Sequence, residues 1–231
     1  MVRILALLTA VALAAAVAAT VALAARSPKS LRASIFAAAR KQHSVHYVEH
    51  AVAPSLRQTM VADVAGSRGI QKITFTLQGK KGHFTVRVVK RIAYVRGNAL
   101  GLQSAGLTAA DAARYQGRWV SIRPSNHLYP DLAADVTLPT FLHDIYPAAP
   151  LALVRTTIRS KEVTGVRGTN RESGITFQEA LFPDSKLRPL GVTDVDKSSG
   201  FVDATTISHW NEAVHVRAPA HAVPLPAGVG A

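Results

Sequence analysis

Three groups of residues could do chemistry: a histidine cluster, a serine among glycines and a set of aspartates. His43, His46 and His50 lie close together in the chain, and histidine sets of this kind can hold a metal ion. Their spacing suits one face of a helix, but Val45, Tyr47 and Val48 give the stretch the pattern of a strand. On a strand only His46 and His50 share a face, roughly 13 Å apart at ~3.3 Å per residue, too far for one ion. No carboxylate completes a set, so these read as surface histidines. Gly101-Leu102-Gln103-Ser104-Ala105-Gly106 approaches the G-x-S-x-G elbow of a serine hydrolase. Its first glycine is one residue out of place, and the segment is helical rather than following a strand. Asp194 and Asp196 share one face of a strand, with Asp203 on a neighbouring one. Carboxylate pairs can hydrolyse glycosides, although acids on the outer face of a sheet are far commoner. No G-x-G-x-x-G or G-x-x-x-x-G-K occurs, so no nucleotide cofactor is implied. The chain has no cysteine, which removes disulfides, thiolate metal ligands and thiol nucleophiles. The reading is a non-enzymatic chain with no cofactor and no metal.

Charge is the other chemical signal. Lys plus Arg number 27 against 14 Asp plus Glu, a formal +13 over 231 residues. Lys72, Lys80, Lys81, Arg87, Lys90, Arg91 and Arg96 gather in one stretch. Nucleic acid is disfavoured as a partner, because no row of aromatic side chains accompanies the positives. An anionic membrane surface suits them better, at roughly 1 kcal/mol per well-placed cation, through Lys72, Lys80, Lys81, Arg87, Lys90 and Arg91. A solvated sheet face is the plain alternative.

The elements that must carry these residues follow from periodicity. Ile4 to Ala25 has no charged residue, and half of it is alanine. Residues 1–26 read as a secretory signal, with Ala22-Leu23-Ala24 as a usable cleavage site, or as an uncleaved membrane anchor. Either exports the rest, to be secreted or held on the outer face of the cytoplasmic membrane. Pro28 to Gln42 reads as an amphipathic helix capped by Ser27. Strands follow from Val45 and from Gln58. Ile73, Phe75 and Leu77 alternate with polar residues, Gly79-Lys80-Lys81-Gly82 turns the chain, and Phe84, Val86 and Val88 alternate on the return. Asn98 to Tyr115 is helical in composition, Trp119 to Ile122 is a short strand, and Asp131 to Ala134 and Leu138 to Tyr146 are short helices. Strands return at Leu151 to Ser160, Ile175 to Phe182, Leu190 to Asp196 and Phe201 to Trp210. Pro224, Pro226, Gly228 and Gly230 mark 219–231 as a disordered Pro/Gly tail. No strand–helix–strand alternation suggests a parallel sheet. One α+β domain over 27–218, a monomer built on a single long, strongly curved antiparallel sheet, fits best.

Several segments occur in a telling order: Ala93-Tyr94-Val95-Arg96-Gly97-Asn98, then Tyr115-Gln116-Gly117-Arg118-Trp119-Val120, then Glu162-Val163-Thr164-Gly165-Val166, and finally His209-Trp210-Asn211-Glu212-Ala213-Val214 with a V-x-A-P close at Val216 to Pro219. Their order and spacing resemble the actinobacterial LppX/LprA/LprF/LprG cell-envelope lipoproteins, within the LolA/LolB-like superfamily. The resemblance covers about residues 30 to 220. It implies an unclosed half-barrel with short helices across its concave face. It also implies a cavity between sheet and helices that holds acyl chains of lipid or lipoprotein, for lipid carriage or sensing in the cell envelope. The lining would come from Ile73, Phe75, Leu77, Phe84, Val86, Val88, Leu138, Phe141 and Leu142. Burying a 16-carbon chain contributes on the order of 13 kcal/mol gross, at ~0.8 kcal/mol per methylene. The family's lipobox cysteine is missing, since Ala24-Ala25-Arg26 stands there instead. An envelope-anchored sensor or interaction domain, resembling a sigma-factor regulator with a filled core, is the rival.

Overall fold

The computed structural model describes residues 26–158, 160–172 and 175–226. The run read as signal or anchor lies outside the described residues except for Arg26, and so do residues 227–231 of the tail. The chain opens with helix α1 (Pro28–Ala39), where the Ser27 hydroxyl accepts the Ser30 amide at 3.2 Å. Its apolar stripe, Leu31, Ile35, Phe36 and Ala39, is buried.

Five long strands then form a meander: β1 (Ser44–Ala53), β2 (Leu56–Ala65), β3 (Arg68–Leu77), β4 (Lys80–Val89) and β5 (Ile92–Gly97). Helices α2 (Ala99–Ser104) and α3 (Ala109–Tyr115) follow, then strand β6 (Val120–Ile122), then α4 (Tyr129–Ala133) and α5 (Leu138–Asp144). The second set of strands is β7 (Ala148–Ile158), β8 (Lys161–Glu172), β9 (Ile175–Pro183), β10 (Pro189–Asp196) and β11 (Phe201–Ser208), and β12 (Val223–Pro224) ends it. All twelve join one sheet in the order β12-β6-β5-β4-β3-β2-β1-β11-β10-β9-β8-β7. Its two end strands do not pair with each other, so the half-barrel stays open. β11 returning beside β1 brings the two halves of the chain into a single sheet.

Four features differ from the sequence reading. The β3–β4 turn is the two-residue Gln78-Gly79, with φ of 50° and 79°, rather than a four-residue turn through Gly82. Positive φ at both positions matches the right-handed twist of the flanking strands. Gly82 therefore lies inside β4, where a Cβ would collide with the Phe75 ring. Strand β8 was not expected, because its glycines and charges mask its alternation; Gly165 and Gly168 sit against neighbouring backbone where a Cβ does not fit. Residues 219–231, read as a disordered tail, include β12: the Val223 amide donates to the Trp119 carbonyl at 2.8 Å and the Leu225 amide to Ser121 at 2.9 Å. This pairing with β6 is parallel, so the sheet is mixed at that edge.

The covered face of the sheet carries two apolar cores. The first joins β1–β3 and β8–β11 to α1 and α5 through Leu31, Ile35, Tyr47, Ile73, Phe141 and Leu181. The second joins β4–β6 to α2, α3 and α4 through Val86, Val95, Leu102, Tyr115 and Leu132.

Candidate functional site

Side chains alternate along each strand, so the register fixes which of them lie in a row across the covered face. One row runs Glu179, Asp194, Asp203, Ala51, Gln58, Phe75 and Gly82 across β9, β10, β11, β1, β2, β3 and β4. The row beside it runs Leu181, Val192, Thr205, Glu49, Met60, Ile73 and Phe84. Over these rows lies a cavity of about 590 Å³, within the roughly 300–1,000 Å³ of small-molecule sites. Its apolar wall is Ala51, Ala53, Leu56, Met60, Ile73, Phe84, Phe177 and Phe201, and its acidic wall is Glu49, Asp135, Asp144, Asp194 and Asp203. The Phe177 and Phe201 rings meet at 5.4 Å.

Helix α5 roofs this region. Phe141 stacks on Tyr47 with ring centroids 4.4 Å apart and 11° between planes. The Tyr47 hydroxyl donates to the Asp135 carbonyl at 2.7 Å and accepts from the Gln71 amide at 3.3 Å, tying the segment before α5 to the sheet. At the far end of α5 the Asn170 amide of β8 donates to the Asp144 carbonyl at 3.1 Å. Beyond that contact lies an open groove of about 1370 Å³, bordered by Leu138, Leu142, Tyr146, Ala65, Arg40, Arg68, His43, His143 and His215. Asp144 and Asn170 border both spaces.

The electrostatics of the cavity are unusual for so basic a chain. Five of its fourteen acids line this one space, and none of the lining residues is Lys, Arg or His. Glu179, wholly buried across the β9–β10 pairing from Asp194, has its pKa pushed up to about 9 by loss of solvent and then by the charges of Asp194 and Asp144, with the Asn170 side chain opposing. Glu49 is pushed well above the usual carboxylate range by burial, then by Asp203 and Asp135, with the Gln58 amide opposing from 3.3 Å. Glu179 is therefore a neutral acid at pH 7. Asp196 shows the opposite: its oxygens accept the Ser198 and Ser199 hydroxyls, each at 2.6 Å, and the Ser198 amide at 2.9 Å, which lowers its pKa to about 2.

The structure divides the nine residues expected to line a cavity. Ile73 and Phe84 line it. Leu138 and Leu142 line the adjoining groove, and Phe141 fills the space between, against Tyr47. Phe75 and Leu77 pack in or on the first core, with Phe75 covering Gly82. Val86 and Val88 belong to the second core beneath α2–α4, which is filled. The carboxylates are what the sequence reading misplaced. Asp194 and Asp203, taken there as outer-face acids, are cross-strand partners on the covered face. Glu49 and Glu179 were not singled out at all; the signal was present as Glu49 two residues from Tyr47 and Glu179 two residues from Leu181, each in phase with the buried face.

The other candidates fall elsewhere. His46 Nδ1 meets Asp63 at 2.8 Å and His50 Nδ1 meets Thr59 at 3.1 Å, each across to β2. Among the described residues no group of three His, Asp or Glu is placed to hold a metal ion. Ser104 is exposed at the end of α2. The cations do not form one patch. Lys80 and Lys81 begin β4 while Lys90 and Arg91 form the turn after its end, roughly 30 Å away at ~3.3 Å per residue. Lys72 lies on β3 opposite Thr85, and Arg87 stacks on Trp119 at 4.6 Å. Among the described residues no helix is long and apolar enough to cross a membrane.

No family model and no curated protein matches the chain. Among solved structures it is similar to the lipoprotein LppX of Mycobacterium tuberculosis, at 16% identity and a TM-score of 0.49, over 83% of this chain and 100% of that one. It is also similar to an uncharacterized conserved protein from Thermus thermophilus, at 8% identity and a TM-score of 0.44, over 83% of this chain and 96% of that one. A third similar structure is MucB in complex with MucA, at 12% identity and a TM-score of 0.36, over 85% of this chain and 60% of that one.

Proposed function

We propose that this chain is an exported, non-enzymatic protein that holds the apolar part of a ligand, an acyl chain of lipid or lipoprotein, between its sheet and α5. The observation that carries this reading is the space of about 590 Å³ walled by Leu56, Met60, Ile73, Phe84, Phe177 and Phe201 and bordering, at Asp144 and Asn170, the larger open groove. An apolar wall that water can reach is unfavourable while empty, and each methylene placed on it contributes ~0.8 kcal/mol. The groove supplies an entrance, with Leu138 and Leu142 as its apolar edge. Residues 4–25 direct export or hold the protein at the membrane. The outward cations, strung along β3 and β4 rather than clustered, suit a weak approach to an anionic surface.

Native mass spectrometry of the full chain, with lipid extraction, tests the reading. A co-purifying acyl lipid that is lost in Phe84→Asp and in the space-filling Ala53→Trp supports it. A clean apo mass that does not change on incubation with fatty acid or phospholipid overturns it and favours a filled interaction domain.

One observation favours a second reading. Burial and the Asp203 charge raise the Glu49 carboxyl, and a raised carboxyl next to a carboxylate is the pairing that hydrolyses glycosides. Gln58, Gln71, Asn170 and Ser199 are the neutral polar groups around them, and the rest of the wall is Ala, Leu, Met, Ile and Phe, with no Trp, Tyr, Arg or His to hold a sugar. Turnover of aryl glycosides that is abolished by Glu49→Gln would establish it in place of the carrier.

A further inference from the structure

Resting on the ligand-binding reading above, we infer that the ligand is a cationic amphiphile whose amine or ammonium end sits among Asp194, Asp203, Glu49 and the Phe177–Phe201 ring pair. Two independent features of the cavity point to positive charge. The first is the aromatic pair, at 5.4 Å and half-buried on the same wall. Ring faces attract a cation by their quadrupole, more strongly where water is excluded. The second is the placement of the carboxyls: Asp194 and Asp203 face each other across β10 and β11, Asp203 is next to Ala51, and Glu49 is two residues along β1 on the same face. Asp135, before α5, and Asp144, its last residue, add to the same space.

Behind this wall Glu179 is fully buried, and neither of its carboxyl oxygens closes a hydrogen bond of good geometry. A neutral buried acid of this kind is a poor way to stabilise a fold. It becomes intelligible beside a space that a cation occupies, because the cation lowers the cost of ionising the acid. The carboxyls are spread along the wall, and no three of them converge as metal ligands would. That geometry suits an organic cation with an apolar body rather than a bare metal ion. A plain fatty acid would instead bring a second negative charge into a cavity whose lining holds no base.

Proton uptake and release follow. The groups facing the cation are Glu49 on β1, Asp194 on β10, Asp203 on β11, and Asp135 and Asp144 at α5, with Glu179 on β9 buried next to Asp194 and the Tyr47 hydroxyl nearby. Glu179 carries its proton at pH 7 and burial shifts Glu49 in the same direction, so an arriving ammonium displaces part of that protonation and binding tightens as pH rises from 6 to 8.

The test uses three probes of one chain length, decylammonium, decanol and decanoate, titrated into the full chain by calorimetry at pH 7 in two buffers of different ionisation enthalpy. The expected result is decylammonium at least tenfold tighter than decanol, decanoate weakest, and proton release seen only with the amine. In the Asp194→Asn, Asp203→Asn double variant the amine preference should disappear while decanol binds as before, which also shows that the variant folds. Equal affinity for decylammonium and decanol overturns the charge assignment and leaves the apolar pocket standing. Binding of none of the three overturns both.

Discussion

Replacing Glu179 by glutamine should make the protein more resistant to rising pH. In the folded chain this carboxyl is wholly buried and keeps its proton up to about pH 9, while in the unfolded chain it ionises near 4.5. The native state therefore binds more protons than the unfolded state between these values. Its stability is full below the ordinary carboxylate value and falls as pH climbs toward 9. Each pH unit in that window costs about 1.4 kcal/mol, so going from pH 5 to pH 8 costs up to about 4 kcal/mol from this group alone. Domains of this kind hold roughly 5–15 kcal/mol in total, so a loss of that size is easily measured. Urea unfolding of the full chain and of Glu179→Gln, at matched pH values from 5 to 8, reads the effect. Because Glu49 titrates in both proteins, the informative quantity is the difference between the two slopes and not either slope alone. The variant should lose less stability with pH, the gap widening by about 2–4 kcal/mol across the range. Parallel curves would mean that Glu179 ionises normally and that the cavity wall is wetter and less acidic than the geometry requires.

Other consequences can be checked by substitution. Tyr47→Phe removes the hydroxyl that bridges Asp135 and Gln71, and should cost about 1 kcal/mol in urea unfolding while raising hydrogen exchange in the segment before α5. Gly82→Ala forces a Cβ into the Phe75 ring, and a loss of about 1–3 kcal/mol is expected; an unchanged midpoint would place that ring elsewhere. Asn98→Ala removes the cap that accepts the Gly101 and His83 amides at 2.8 and 3.1 Å, for about 1–2 kcal/mol. Asp196→Asn should leave stability unaltered below pH 2 and lower it above the ordinary carboxylate value, since the wild-type group is stabilised there by Ser198 and Ser199 and loses that contribution as pH falls through about 2.

Much of the architecture was written in local pattern. The meander from β2 to β5 alternates cleanly because one face is buried and the other solvated, and Ser27, Asn98 and Thr108 mark their helices by capping chemistry. Three things were not local. Gly82 looks like a turn residue until Phe75 is known to lie across it. β8 hides because its glycines serve close packing against β7 and β9 rather than a turn. β12 is two residues long and is recognisable only when β6 is beside it. The site was legible in its apolar half, through Ile73 and Phe84, and illegible in its acidic half. Asp194 and Asp203 become a pair only through the β10–β11 register, and they join Glu49 only because β11 returns to β1 from the far end of the chain. Val86 and Val88 show the converse: their alternation marks burial, but burial under α2–α4 fills the space that a ligand would need.

The central claim is that an acyl chain lies on the covered face between the sheet and α5, and photolabelling tests it most directly. A fatty amine carrying a diazirine near its terminal methyl, incubated with the full chain, irradiated and mapped by peptide mass spectrometry, should mark β2, β3 or β4 around Met60, Ile73 and Phe84, and excess decanol should compete the label away. Label scattered over outward-facing residues such as Lys72 and Thr74, or no competable label on the covered face, would contradict the account.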